Sequence, residues 1–308
     1  MRKKKWLKIS IYLFATLLSV ELILRFVIGL GDMPIYIVNK NYEYIYAPNQ
    51  TAFRFGNEIS TNEFSMRSKS LSKKDKLKIL LIGDSVINGG VHNSNDELAS
   101  TLLENKAESI LDNTRVLNIS AGSWGPDNSY AYIQQHGNFD AKHFVIVLSS
   151  QDYNDNMHHR DVVGVHSSWP KEKPMLAITD AWGRYVWPKI KGVFVKQNEY
   201  AYLDGFDDSA VNSGWMNYIN YCNQNNITLT VYLHATKEER SKKKYLSQGQ
   251  KLLELLYLNK VNVVQGLSLN MDDSNYRDNI HLNEKGQKVL SEHLWPIFEE
   301  ILKKEKNN

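Results

Sequence analysis

The fold is decided by residues 77–85, which read Leu-Lys-Ile-Leu-Leu-Ile-Gly-Asp-Ser. The first six are almost all apolar, and a short apolar run that ends at a glycine is typical of a strand buried in a sheet. Similar runs recur at 115–119, 142–148, 227–233 and 261–264. Stretches with helical spacing of apolar residues lie around them, at 96–111, 128–135, 213–223, 241–258 and 284–304. This alternation predicts an α/β domain that starts at residue 77, with a parallel sheet covered by helices on both faces.

The composition is that of a globular protein and gives little sign of special partners. Of the 308 residues, 42% are hydrophobic and 23% are charged, which is ordinary for a protein with a packed core. The net charge of +3 is small and sits largely at the two chain ends, so it does not favour a nucleic-acid partner. The single cysteine, Cys222, excludes an internal disulfide framework and a cysteine-based zinc cluster. We expect no cofactor.

The first 31 residues have the pattern of a membrane anchor. Four basic residues at 2–5 precede an apolar stretch, and the 22 residues from Ile9 to Leu30 would form a helix of about 33 Å, enough to cross a bilayer. Glu21 and Arg25 interrupt this stretch four residues apart and could pair on one helix face. We predict an uncleaved signal anchor with a single pass through the cell membrane and an extracytoplasmic main domain. The alternatives are a cleaved secretory signal and a buried amphipathic helix.

Residues 32–76 are expected to form a short extracytoplasmic stalk with weak strands. Tyr42, Tyr44 and Tyr46 alternate with other residues, as in a strand. Gly56 and Asn57 lie between further strand-like residues, so a hairpin turn is expected there.

The chemistry-bearing residues cluster where predicted strands end. Gly83-Asp84-Ser85 directly follows the first strand, and a serine at that place can present its hydroxyl and its amide at the carboxyl edge of the sheet. Asp278-Asn279-Ile280-His281 stands just before the last helix. Since a serine hydroxyl needs a base, and that base needs a group to orient it, an aspartate three residues before a histidine suits the task.

These two motifs, in this order, resemble the first and last conserved blocks of the SGNH/GDSL hydrolases, over roughly residues 77–304. The resemblance implies a flavodoxin-like three-layer α/β/α sandwich and ester chemistry on acyl groups. It also implies that Ser85 is the nucleophile, His281 the base and Asp278 the orienting acid.

The same resemblance implies an oxyanion hole, from which this sequence departs in two places. The Ser85 amide would contribute one donor. At the position of the family's second-block glycine our register places Ser123, with Gly122 one residue away. At the position of the third-block asparagine stands Gln151, whose amide is one methylene longer, and Asn154 is a displaced second candidate.

Other polar and aromatic residues admit more than one interpretation. His158 and His159 could suggest a metal, but adjacent histidines rarely hold one ion together, so we expect none. His234 follows the fourth strand and is an outside candidate for lining the cleft. We interpret residues 162–202 as an insertion over the cleft, whose aromatic side chains either stack on sugar rings or form a small core of their own. They are Trp169, Trp182, Tyr185, Trp187 and Tyr200.

Together these patterns predict a membrane-anchored, serine-dependent esterase or O-acyltransferase. We expect it to act on acyl esters, in particular acetyl esters, of an exported or cell-surface polysaccharide. The alternative is a non-catalytic carbohydrate-binding or assembly subunit that keeps a degenerate SGNH fold, which the irregular third block favours.

Overall fold

The structure is a computed structural model that describes residues 2–194 and 209–307. A five-stranded parallel sheet organises it. Its strands are β5 (Leu77–Gly83), β6 (Thr114–Ser120), β7 (His143–Ser149), β8 (Thr228–His234) and β9 (Asn262–Gln265). They lie in the order β6-β5-β7-β8-β9. Numbered within the sheet this order is 2-1-3-4-5, which is the flavodoxin-like, doubly wound arrangement. The predicted α/β fold is therefore confirmed.

Helices cover both faces of this sheet. Those of the domain are α2 (Ser85–Asn88), α3 (Ala99–Glu108), α4 (Pro126–His136), α7 (Gly214–Gln224), α8 (Lys237–Lys242), α9 (Ser247–Leu258) and α10 (Glu284–Lys306). Alternate residues of β5 point to opposite sides, because side chains alternate along a strand. Leu80 and Ile82 join a core with α4, α7 and α9, whereas Ile79 and Leu81 join a second core with α3 and α10. The result is three layers with two cores.

Residues 32–76 pack against the domain through two hairpins. Strand β1 (Tyr36–Asn39) pairs with β2 (Glu43–Tyr46), and β3 (Thr51–Arg54) pairs with β4 (Asn57–Ser60). Six of their buried residues belong to the first core: Tyr36, Tyr42, Tyr44, Ile45, Tyr46 and Ile59. The segment expected to be a stalk thus contributes to the same core as the sheet.

Two local features differ from the sequence expectation. The turn of the second hairpin is formed by Phe55 and Gly56, both with positive φ, one residue earlier than predicted. The helix expected over 241–258 is two helices, because Lys243 adopts the left-handed conformation and ends α8.

The N-terminal helix α1 (Arg2–Ile23) continues through a π-helical turn, Leu24–Ile28. Within Lys3–Ile28, an 18-residue window has a mean hydropathy of 2.1 and none of this window is buried, so the stretch is long and apolar enough to cross a membrane, although a signal sequence has the same properties. A further helical run comprises α5 (Ala177–Ala181), a π-helical turn Trp182–Val186 and α6 (Trp187–Phe194). Tyr200 of the expected insertion lies outside the described residues.

Candidate active site

The serine stands at the carboxyl end of strand β5, which lies between β6 and β7 in the sheet. Gly83 closes the strand, and a Cβ at this position would overlap the carbonyl oxygen of Val147 on the neighbouring strand. Asp84 caps the short helix α2 by accepting a hydrogen bond from the Val86 amide at 2.8 Å. Ser85 is the first residue of that helix, so its hydroxyl and amide are presented at the edge of the sheet.

Three side chains form a continuous hydrogen-bonded chain at this edge. His281 Nε2 lies 2.9 Å from Ser85 Oγ, although the two residues are 196 positions apart in sequence. His281 Nδ1 lies 2.7 Å from Asp278 Oδ2. The order hydroxyl, imidazole, carboxylate is the one that lets a histidine take a proton from a serine.

Asp278 is held in its charged form by the loop that carries it. Its Oδ1 accepts hydrogen bonds from the amides of Ile280 at 3.0 Å and His281 at 2.8 Å. Burial acts to raise the pKa of Asp278, but the two amides and the His281 ring outweigh it and lower the pKa to about 2. The carboxylate is therefore ionised at any pH at which an imidazole can act as a base.

The loop that carries Asp278 and His281 is tethered to the end of β8. His234, the last residue of β8, is buried and lies with its Nε2 3.0 Å from the carbonyl oxygen of Ile280. The Asn279 carbonyl accepts from the Lys237 amide at 2.8 Å. Burial lowers the pKa of His234 to about 4, so the ring is neutral near pH 7 and its Nε2 donates to Ile280. His234 supports the loop from beneath and is not among the residues that line the cavity.

The expected oxyanion donors lie at different places around the serine. Ser123 lines the same cavity as Ser85, with φ of 57°, the left-handed conformation that glycine adopts without strain. Gly122 is not among the lining residues, and its carbonyl accepts a hydrogen bond from the Tyr44 hydroxyl at 3.0 Å. The backbone at Ser123 thus has the character expected of a glycine position.

Gln151 and Asn154 both line the cavity. Gln151 belongs to the 3₁₀ turn Ser150–Tyr153 that directly follows β7, and its side chain is exposed. Asn154 accepts a hydrogen bond from Gln248 Nε2 through its Oδ1 at 3.0 Å. The side chain of Gln151 is thus exposed in the turn after β7, whereas the side-chain amide of Asn154 is hydrogen-bonded to Gln248 of α9.

Two buried carboxyl groups beneath the site were not singled out by sequence reasoning. Asp152 accepts from the Ser149 amide at 2.6 Å, and one oxygen of each of Asp84 and Asp152 is buried without a hydrogen-bond partner. Burial raises the pKa of both groups, and for Asp152 the nearby charge of Asp84 adds to it. Their signal in the sequence was an acidic residue at the end of each of two buried strands.

The cavity around Ser85 has a volume of about 430 Å³, and its walls come partly from outside the sheet. Glu43 and Tyr44 come from the first hairpin, and Trp169 from the segment after β7, with the Trp169 and Tyr44 rings 5.5 Å apart. The amides of His158 and His159 donate to Glu43 Oε1 at 2.9 and 2.7 Å. Within residues 2–194 and 209–307, no three His, Cys, Asp or Glu side chains are grouped so that they could hold a metal ion.

Comparison with known proteins finds similarity among solved structures alone. No family model matches the sequence, and no curated protein does so. A member of the lipolytic protein G-D-S-L family from Veillonella parvula is 10% identical with a TM-score of 0.42, over 72% of this chain and 98% of that one. A lipase/acylhydrolase from Enterococcus faecalis is 12% identical with a TM-score of 0.45, over 74% and 97%. The psychrotrophic esterase EstA from Pseudoalteromonas sp. is 14% identical with a TM-score of 0.42, over 76% and 100%. Similarity of this size does not carry function, which has to be argued from the site itself.

Proposed function

We propose that the chain is a serine ester hydrolase or O-acyltransferase of the SGNH/GDSL type. The observation that carries the proposal is the hydrogen-bonded chain from Ser85 Oγ through His281 to Asp278, with distances of 2.9 and 2.7 Å. The chain lies at the carboxyl edge of a parallel sheet, where ligands of such folds bind, and it opens into the cavity described above.

The reaction begins when His281 Nε2 takes the proton of Ser85 Oγ as the oxygen attacks the acyl carbonyl carbon. A new C–O bond forms, and the carbonyl oxygen becomes the oxyanion of a tetrahedral intermediate. His281 then gives the proton to the leaving alcohol oxygen as the old ester bond breaks, which leaves the acyl group on Ser85. Asp278 keeps the proton of His281 on Nδ1 and stabilises the imidazolium while it exists.

The oxyanion is held by the amides of Ser85 and Ser123 together with one side-chain amide, Gln151 or Asn154. Each lost donor of this kind typically reduces kcat by about 10²–10³, so the third donor matters to the rate. In the second half of the reaction an acceptor hydroxyl attacks the acyl-enzyme. Water gives an esterase, and a sugar hydroxyl gives a transferase.

We infer that the substrate is an acyl ester, most simply an acetyl ester, on an exported or cell-surface polysaccharide. The cavity combines aromatic walls, Tyr44 and Trp169, with polar side chains such as Glu43 and Gln248. That combination suits a sugar unit, which has apolar faces and hydroxyl edges. The exposed apolar helix α1 with its basic start supports a single-pass anchor and an extracytoplasmic site, as the sequence predicts.

The rival function is a non-catalytic carbohydrate-binding or assembly subunit, and hydrolysis of p-nitrophenyl acetate separates the two. We would use the full chain in detergent, because Glu21 and Arg25 of its N-terminal helix bond to residues 175–178 of the domain. The esterase proposal predicts activity that Ser85→Ala and His281→Ala abolish and that Ser109→Ala, at an exposed serine on the end of α3, leaves unchanged. If the parent were no faster than Ser85→Ala, simple esterase activity would be excluded, and a dedicated transferase or a binding subunit would be the better account.

A further inference from the structure

The helical run that begins at Ala177 has its large apolar side chains on the outside as far as Ile190. Met175 is 89% exposed just before the run, and Trp182 and Trp187 are 53% and 51% exposed within it. The remaining exposed apolar side chains of this stretch are Leu176, Tyr185, Val186 and Ile190. A helix on the surface of a soluble protein turns its apolar stripe inward, so this arrangement is the reverse of the usual one. A contiguous exposed patch of this kind marks an interaction surface.

Two charged side chains of the same run, Asp180 and Arg184, are held against the domain and fix the orientation of the run. Asp180 is almost completely buried and accepts hydrogen bonds from the Gly31 amide at 3.0 Å, Arg54 Nη1 at 2.7 Å and Arg184 Nε at 3.0 Å. Arg54 also donates to the Tyr185 hydroxyl at 3.0 Å. Rotating the helix to bury its aromatic residues would break a buried ion pair, which is costly because it leaves an unpaired charge.

The run begins against the outer end of the N-terminal helix. Glu21 accepts hydrogen bonds from the amides of Ala177 at 2.9 Å and Ile178 at 3.0 Å, and Arg25 donates to the Met175 carbonyl at 2.7 Å. The two charges that interrupt the apolar N-terminal stretch are therefore used to dock this segment. Phe26 and Val27 of the π-helical turn are exposed, and both α1 and this turn contact α5, the first helix of the run.

We propose that residues 175–190 lie in the interfacial layer of the lipid bilayer that α1 crosses, as a second membrane contact; the proposal rests on the membrane anchor of the proposed function. Tryptophan and tyrosine favour this layer because each has an apolar ring and a polar atom. The exposed lysines at 189 and 191 suit anionic headgroups at its edge. We assign the bilayer, rather than a second protein, as the partner of this surface. The reason is that the first turn of the run is hydrogen-bonded to the N-terminal helix, which itself would cross the bilayer.

The contact fixes how the catalytic domain stands on the membrane. A single helix joined through a flexible linker would let the domain rotate, whereas a helix plus a surface segment holds it in one orientation. Arg54 and Arg184, which hold the run in place, line a cavity of about 280 Å³ together with His92 and Arg277, the residue before Asp278. This cavity is thus lined both by residues that hold the membrane-facing segment and by the residue next to Asp278.

The test places a fluorescent probe at defined sites of the full chain reconstituted in vesicles of phosphatidylcholine with some phosphatidylglycerol. Cys222, which is buried, is replaced in a Cys222→Ala background. An NBD group is then attached in Trp187→Cys, in Leu13→Cys within the apolar helix, and in Leu258→Cys. Leu258 is the matched control, since it is an exposed apolar residue at the end of α9, by the amino end of β9 and away from the catalytic edge. Thermal unfolding of each labelled variant confirms that it is folded.

The proposal predicts blue-shifted NBD emission and quenching by doxyl-labelled lipids at positions 13 and 187, with no quenching at 258. Quenching at 13 without quenching at 187 would overturn the second contact and leave the anchor intact. Quenching at neither position would overturn both the anchor and this proposal. A blue shift at 187 that lipid quenchers do not touch would mean contact with a second copy, which also overturns it. Because Trp187 is not part of the catalytic site, p-nitrophenyl acetate hydrolysis should be unchanged in Trp187→Cys, so a failed esterase assay and a failed membrane contact are separate results.

Discussion

Replacing His234 with glutamine should remove a large part of the acid sensitivity of the fold. The His234 ring is buried, its Nε2 bonds to the Ile280 carbonyl, and its Nδ1 has no partner. Burial lowers the pKa of this imidazole from about 6.5 to about 4. In the unfolded chain the ring takes up a proton as the pH falls below about 6.5, whereas in the folded chain it stays neutral down to about pH 4. The neutral ring therefore stabilises the fold fully above pH 6.5, and this contribution is lost as the pH falls.

The size of the effect follows from the two pKa values. Their difference corresponds to at most about 3 kcal/mol, and about 2 kcal/mol of it is lost between pH 7 and pH 5. Glutamine can keep the donor to the Ile280 carbonyl without titrating. In His234→Gln the free energy of unfolding at pH 7 should drop modestly, and its decrease from pH 7 to pH 5 should be smaller than in the parent by about 2 kcal/mol.

Urea unfolding of parent and variant in the same detergent, at several pH values between 4.5 and 7.5, measures this difference. The comparison has to be made between the two proteins, since other groups titrate in the same range. Burial raises the pKa of Asp84 and Asp152, so their contribution to stability is present at low pH and is lost as the pH rises through their folded-state pKa values, the opposite sign to that of His234. Parallel pH profiles for parent and variant would refute the assignment of a neutral, buried His234.

Three further predictions concern the oxyanion donors, Asp278 and the buried ion cluster around Asp180. Gln151→Ala should reduce kcat for p-nitrophenyl acetate by about 10²–10³ with little change in KM. Asn154→Ala should reduce kcat less than about tenfold. The reverse order of the two effects would make Asn154 the third oxyanion donor. Asp278→Asn should reduce kcat by about 10²–10⁴ without changing the circular dichroism spectrum, and an unchanged kcat would remove Asp278 from the reaction. Asp180→Asn should lower the free energy of unfolding by about 3–5 kcal/mol, because its arginine partner stays buried and unpaired. The control Asp32→Asn loses an exposed ion pair with a lysine and should lower the free energy of unfolding by at most about 1 kcal/mol. Equal effects of the two substitutions would contradict the buried ion cluster.

The sheet was predictable from the sequence because its strands are buried on both sides. Their residues must be apolar almost without interruption, as in 77–82 and 144–148. Strand β5 extends the predicted strand by one residue at its carboxyl end, and β7 is shifted by one residue towards the carboxyl end from the predicted 142–148. The place of Ser85 at the carboxyl edge of the sheet follows from the same logic, because Ser85 comes just after β5. The loop of His281 lies beyond β9 and is held at this edge by His234, the last residue of β8. The sequence could not decide between Gln151 and Asn154 as the third oxyanion donor. Both come soon after β7, and they differ in the contacts that their side chains make in the folded protein.

The features that the sequence did not predict depend on contacts between segments that are distant in the chain. The alternating tyrosines at 42, 44 and 46 predicted a strand but not the core that they enter, which is formed by the sheet and its helices. Likewise the spacing of Glu21 and Arg25 predicted their ion pair, at 2.9 Å, but not the docking of residues 175–178 on them. The sequence placed aromatic residues over the cleft; in the structure Trp169 lines it, whereas Trp182 and Trp187 are exposed beside the N-terminal helix and outside the lining of the cavity.

Labelling the full chain with a fluorophosphonate, and locating the adduct by mass spectrometry, shows directly whether Ser85 is an activated nucleophile. We expect one adduct, on Ser85, that is absent in Ser85→Ala, forms much more slowly in His281→Ala and is unchanged in Ser109→Ala. Labelling that persists in Ser85→Ala, or a parent protein that does not react at all, would contradict the assignment of Ser85 as an activated nucleophile.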